Sequence, residues 1–150
     1  MTKNGLKVVA AVAALGVAGC GGSSNKALSY SDFSTKADGI CKSVSAKTKS
    51  IGSNLTGKAA TDAPVYDQLI PAVQQGRDDL AKLKPPEQLK ADLSSFLSIT
   101  DQQIANAKKA QAAAKAGDQS GYIAIVKATQ PLQKQSNVEG SKLGAADCAK

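Results

Sequence analysis

From Tyr30 onward the apolar residues return every three or four positions, and no stretch alternates strictly. Phe33, Ala37, Ile40, Val44, Ile51 and Leu55 form the first row, broken only at Lys47 or Thr48. Such spacing stacks side chains on one face of an α-helix. The row predicts a helix from about Ser31 to Leu55, with Ser31 or Asp32 capping its first turn. Asp32 with Lys36, and Asp38 with Lys42, stand four apart with the acid first, the order that supports a helix. Thr56 to Ala63 reads as a loop around Gly57.

A second row comprises Tyr66, Leu69, Val73, Leu80 and Leu83, with Gly76 at the missing seam position. Thr61 or Asp62 is the expected cap, and Pro64 is tolerated in the first turn. Gly76 either lets a neighbouring helix approach or leaves a space. Lys84-Pro85-Pro86 ends this helix, because proline disfavours helix at the residue before it. Pro86 opens a third helix through Leu89, Leu93, Phe96, Leu97, Thr100 and Ile104. Its alanine-rich continuation to Ala116 has little to bury and is expected to fray or project. The fourth helix is capped by Asp118 or Ser120 and carries Tyr122, Ile125, Val126, Thr129, Leu132 and Ser136 on a more polar inner face. Pro131 is expected to kink it, and Leu143-Gly144 to end it. Four amphipathic segments on short connections predict an all-α fold, an up-and-down four-helix bundle over residues 30–150. Strand signals are absent.

The first twenty residues follow a different logic. Lys3 and Lys7 precede a run from Val8 to Ala18 that is apolar throughout apart from Gly16. Eleven helical residues rise about 16 Å, roughly half a hydrocarbon core, which suits the apolar region of a signal peptide and not a membrane span. Small residues then lead into Cys20. Val17-Ala18-Gly19-Cys20 resembles the lipobox of bacterial lipoproteins. The resemblance implies a signal peptide over residues 1–19, cleaved between Gly19 and Cys20. It also implies diacylglycerol, with palmitate-type chains, on Cys20. The mature chain would be lipid-anchored to the cell membrane, facing the extracytoplasmic side, and two acyl chains hold far better than one. The competing reading is an ordinary secretory signal with a chance cysteine. Residues 20–29 read as the lipidated cysteine and a Gly/Ser/Asn tether, spanning about 15–18 Å.

The anchor changes the cysteine count. With Cys20 acylated, Cys41 and Cys148 remain as a pair outside the reducing cytoplasm, and a disulfide between them is expected over two buried free thiols. In an up-and-down bundle the start of the first helix and the end of the fourth share one end, so a tail folding back reaches Cys41. The segments Ala37-Asp38-Gly39-Ile40-Cys41 and Leu143-Gly144-Ala145-Ala146-Asp147-Cys148 are similar to those of a small cysteine-bracketed lipoprotein type of bacterial envelopes, which implies no activity.

The chemistry on offer is sparse. The formal net charge is +7, Arg77 is the sole arginine, and there is no His or Trp. Cleavage would remove Lys3 and Lys7 and two of those charges. Gly52 to Ala59 is one residue from a phosphate-binding loop, but it follows a helix and carries Ala59 where a hydroxyl is required. Ser23-Ser24-Asn25-Lys26 fits a penicillin-binding nucleophile motif but lies in the tether without its companions. Asn54-Leu55-Thr56 is a glycosylation sequon in a chain read as bacterial. Asp78-Asp79 is the one acidic doublet and falls off the apolar seam, where Lys82 can pair with either. No acidic residue lies on a predicted core row, and without His no group is poised for proton transfer. We therefore expect no enzyme activity, catalytic residue, metal or cofactor. Nucleic acid is excluded as a partner by export and by the near absence of Arg and aromatics. Lysines spread over all four helices suit solubility, or attraction to anionic headgroups and acidic envelope polymers.

Two functions follow as expectations. The first is a non-enzymatic interaction or structural module of the envelope, presenting a helix face to another envelope protein. The alternative is a carrier or sensor for a small apolar ligand within the bundle. A carrier needs an apolar cavity of a few hundred Å³. An interaction module needs a contiguous exposed apolar patch.

Overall fold

A computed structural model describes residues 26–150. The expected signal peptide with its Gly19–Cys20 cleavage site, the lipidated Cys20 and most of the tether lie outside the described residues. Those described form four helices, α1 (Tyr30–Gly52), α2 (Ala59–Ala81), α3 (Lys90–Lys115) and α4 (Gln119–Lys142), with 3-10 turns at Glu87–Leu89 and Ala146–Ala149. Among the described residues there is no strand.

Local chemistry accounts for where each helix begins. Ser29 caps α1, ahead of the expected Ser31 or Asp32. Its Oγ accepts the Asp32 N–H at 3.1 Å and donates to the Asp32 carboxylate at 2.6 Å. The chain just before it is folded too, since the Leu28 N–H donates to the Lys84 carbonyl at 2.9 Å and Leu28 packs on the core. Asp32 thus engages Ser29 instead of Lys36, and Asp38 accepts the Asp147 N–H at 2.7 Å. α2 starts at Ala59, before the expected Thr61 or Asp62. Its N-cap Lys58 offers no side-chain acceptor, and the Ala59 N–H instead donates to Gln119 at 2.8 Å. α4 is capped by Asp118, whose carboxylate accepts the Gly121 N–H at 2.9 Å, and it runs through Pro131 without a break.

The alanine-rich end of α3 neither frays nor projects. Ala110 and Ala114 are buried with Ala59, Tyr66, Ile70, Ile104 and Tyr122 in one of two apolar clusters. Small side chains there let helices approach closely, so a stretch poor in large apolar residues still has a core to join. The second cluster lies around Phe33, Ala37, Leu80, Leu93, Phe96 and Leu143.

The helices pack consecutively, α1 on α2, α2 on α3 and α3 on α4. α1 and α4 share no extended interface, and the Ala146–Ala149 turn packs on both and closes the bundle. Gly144 reverses the chain after α4 with φ +68°, a conformation that favours glycine. The turn then crosses α4 at Gly140, where a Cβ would stand 2.1 Å from the Cys148 carbonyl oxygen. It is held to α1 by the Asp147 N–H on Asp38 and by a disulfide between Cys41 and Cys148, whose Cα atoms are 5.0 Å apart. The Ser34 hydroxyl donates to the Leu143 carbonyl at 2.9 Å alongside.

Two glycines therefore respond oppositely to one methyl group. Gly140→Ala drives a Cβ into backbone, and we expect it to destabilise the fold by about 1–3 kcal/mol or more. Gly39→Ala meets nothing within 4 Å in mid-α1 and should stabilise by about 0.5–1 kcal/mol. Thermal melting of both variants without reductant checks the pair.

Candidate functional site: a cleft between the first and fourth helices

Because α1 and α4 part above their shared clasp, residues from all four helices face a common opening of about 480 Å³. Ile70 and Val73 of α2 and Ile104 and Ala107 of α3 form its apolar floor. Val44 and Thr48 of α1 make one wall, and Val126, Thr129 and Gln133 of α4 the other. One end is stopped by Cys148 and Asp147 of the closing turn. Val126 is 37% exposed, so the α4 wall presents apolar surface to solvent inside the opening. A Cβ at Gly76 would lie 2.1 Å from Val44 Cγ2, so this glycine serves the close approach of α1 to α2. The space comes instead from the missing contact between α1 and α4.

Charge is neutralised within the cleft. The Arg77 guanidinium donates from Nε and Nη2 to the two Asp101 oxygens at 2.8 and 2.9 Å. Those bonds raise the Arg77 pKa above its ordinary value. Lys150 pairs with Asp147, whose carboxyl is held below its usual value chiefly by that hydrogen bond. The Thr100 hydroxyl is internally satisfied by the Phe96 carbonyl at 2.9 Å. The Gln103 amide reaches across to Gln133 at 3.3 Å, and Asn106, Thr129 and Gln130 add uncharged donors and acceptors. The arrangement offers apolar contact along its floor and uncharged hydrogen-bonding groups on its walls.

The opposite end of the bundle contains a group that periodicity missed. Asp62 is 0% exposed, although no acidic residue was expected in the core. It lies on the buried side of α2 because its carboxylate organises the loop before the helix. Oδ1 accepts from the Thr56 N–H and hydroxyl, both at 2.8 Å, and Oδ2 from the Gly57 N–H at 2.9 Å and the Tyr122 hydroxyl at 2.7 Å. Burial pushes the carboxyl up, but the hydrogen bonds from Thr56, Tyr122 and Gly57 outweigh it and the pKa falls below the ordinary value. Burial and the neighbouring Tyr66 and Asp62 raise the Tyr122 phenol. Tyr66 meets Tyr122 edge to face, ring centroids 6.2 Å apart. Gln119 completes the join, accepting from the Ala59 N–H and donating to the Gly57 carbonyl at 2.9 Å.

This also disposes of the near phosphate-binding loop at Gly52 to Ala59. Its backbone N–H groups do surround an oxyanion, but the oxyanion is the chain's own Asp62. Of the sequence-derived residues, the structure brings Cys41 and Cys148 together, and it pairs Lys82 with Asp79 at 2.8 Å. Asp62, Gln119 and Gly140 went unforeseen in these roles. Only Asp62 left a signal, as a capping residue next to a glycine loop. The chain matches no protein-family model, no curated protein and no solved structure.

Since the folded Asp62 binds its proton less tightly than the unfolded chain does, its stabilisation is complete above the unfolded carboxyl pKa of about 4 and is lost as pH falls through the lower folded value. Asp62→Asn should cost about 1.5–3 kcal/mol at neutral pH and flatten the loss of stability on acidification. Urea titrations at stepwise lower pH measure both.

Proposed function

We propose that this protein is a membrane-anchored, extracytoplasmic and non-enzymatic binding protein. Its cleft holds a small apolar ligand, as a carrier or a sensor. The cleft carries the proposal. At about 480 Å³ and walled by all four helices, it has the size and mainly apolar lining of a small-molecule site. The anchor rests on the lipobox resemblance at Val17-Ala18-Gly19-Cys20, and the pairing of Cys41 with Cys148 leaves Cys20 free for acylation.

The interaction module, which the sequence places first, draws less support. Such a module needs a contiguous apolar patch. Among the described residues the exposed large apolar ones are Tyr30, Leu55, Val126 and Val138. Tyr30 begins α1 and Leu55 follows its far end, so they stand about 35 Å apart along the helix. Val126 belongs to the cleft.

Native mass measurement on the protein, gently extracted from its own membrane without reductant, tests the proposal. The expected mass lacks residues 1–19, is raised by acyl chains, is lowered by one disulfide and is accompanied by a small molecule. An unacylated mass would overturn the anchor. An acylated chain bound only to another protein would return the interaction module to first place.

A further inference from the structure

The cleft is neutral inside, but its mouth is not. On α1, Lys42 follows Cys41 and Lys49 follows Thr48, two residues that line the cleft. On α4, Lys127 follows the lining residue Val126 and Lys134 follows Gln133. Within each pair the lysines are seven residues apart, two helical turns or about 10 Å, and so share one stripe. One residue beyond a lining position is a rotation of about 100°. On α1 that rotation leads away from the side packed on α2, and on α4 away from the side packed on α3. Each wall therefore ends in an exposed cationic stripe.

Among the described residues none of the four lysines forms an ion pair, in contrast with Arg77 and Lys150 inside. Of the acidic groups nearby, Asp147 is paired with Lys150 and Asp101 with Arg77, while Asp38 accepts the Asp147 N–H and keeps its single negative charge four residues before Lys42. Lys42 is close enough to Asp147 to help lower its carboxyl, which puts this lysine at the closed end of the cleft. The site thus combines an uncharged apolar floor with a net excess of positive charge at the rim, four lysines against the one carboxylate of Asp38.

Resting on the reading of the cleft as a ligand site, we infer that its ligand is a single-chain amphiphile with an anionic head. The acyl chain lies along Val44, Ile70, Ile104 and Val126, and the carboxylate or phosphate head sits at the mouth between the two lysine stripes. A neutral apolar molecule would leave the rim unused. A cation would be repelled by it.

The full-length chain in nanodiscs of neutral phosphatidylcholine is titrated with dodecanoate, dodecyl phosphate and dodecanol, each bearing a diazirine near the end of its chain. After photolysis the labelled peptides are mapped. We expect both anions to label the peptides holding Val44, Ile70 or Val126, at half-saturating concentrations about tenfold below that of the alcohol. The variant Lys42→Gln/Lys49→Gln/Lys127→Gln/Lys134→Gln should lose this preference while keeping the alcohol's labelling. The same charge removed elsewhere, by Lys36→Gln/Lys47→Gln/Lys108→Gln/Lys109→Gln, should leave it intact. Equal labelling by anions and alcohol would overturn the anionic head and leave the cleft reading standing. Loss of preference in both variants would assign it to net charge and overturn the rim. Labelling that avoids the cleft would overturn both readings, and if confined to the lysine-bearing surfaces it would reassign those lysines to the membrane itself.

Discussion

The bundle is closed by one short turn. α1 and α4 do not pack into a helix pair, so the first and last helices are joined at one end, where Ala146–Ala149 crosses from one to the other beside the Ser34–Leu143 hydrogen bond. That crossing needs several things together: no Cβ at Gly140, a left-handed reversal at Gly144, a carboxylate on Asp38 to receive the Asp147 N–H, and the Cys41–Cys148 bond. The bond links residues 107 apart. In the chain-entropy account a loop of that length contributes about 4–5 kcal/mol by restricting the unfolded chain. Against a typical total of about 5–15 kcal/mol for a domain, this is a large share.

The far end is held by different chemistry. There a buried carboxylate gathers the Thr56–Gly57 loop and the Tyr122 hydroxyl, and Gln119 ties the start of α2 to the start of α4. Such a knot is stable because every acceptor position is used, and leaving one unpaired in the interior is expensive. With both ends pinned, the stretch between them need not be filled to hold the helices in place. This is why the cleft can remain open along the middle of α1 and α4 while its neighbours keep a packed core.

How much of this was legible depends on whether one helix or two elements carry the signal. Helical rows such as Phe33–Ala37–Ile40 or Leu89–Leu93–Phe96 announce themselves, since spacing within one segment is a local property. The helix count, the up-and-down order and the pairing of Cys41 with Cys148 followed from such rows and from the cysteine count. The alanine-rich end of α3 was misjudged because burial there depends on how closely α2 and α4 approach, and alanine records no preference for that. Asp62 was misjudged because its burial is decided by N–H groups of a loop and a hydroxyl sixty residues away. The cleft was foreshadowed only by a polar inner face on the fourth helix. Gly76, one of the features thought able to open it, in fact brings α1 and α2 together.

The two ends also differ in what sustains them, and the difference bears on where such a chain can work. The Asp62 knot needs only a pH above the carboxylate range. The clasp needs an environment that keeps a disulfide oxidised, which the cytoplasm does not provide. A fold that relies on that bond to fasten its closing turn is suited to an oxidising compartment. The proposed anchor, read from the apolar run and lipobox-like stretch before Gly21, would put the chain in such a compartment. The cleft adds a third consideration. Under the proposed reading an acyl-binding groove gains from being held close to a bilayer, where its ligand is concentrated, and the seven residues Gly21 to Ala27, ahead of the folded Leu28, would span about 13–16 Å. In the proposed reading anchor, clasp and cleft belong to one arrangement, in which the clasp fastens α1 to α4 at one end while the missing contact between the two helices leaves the groove open.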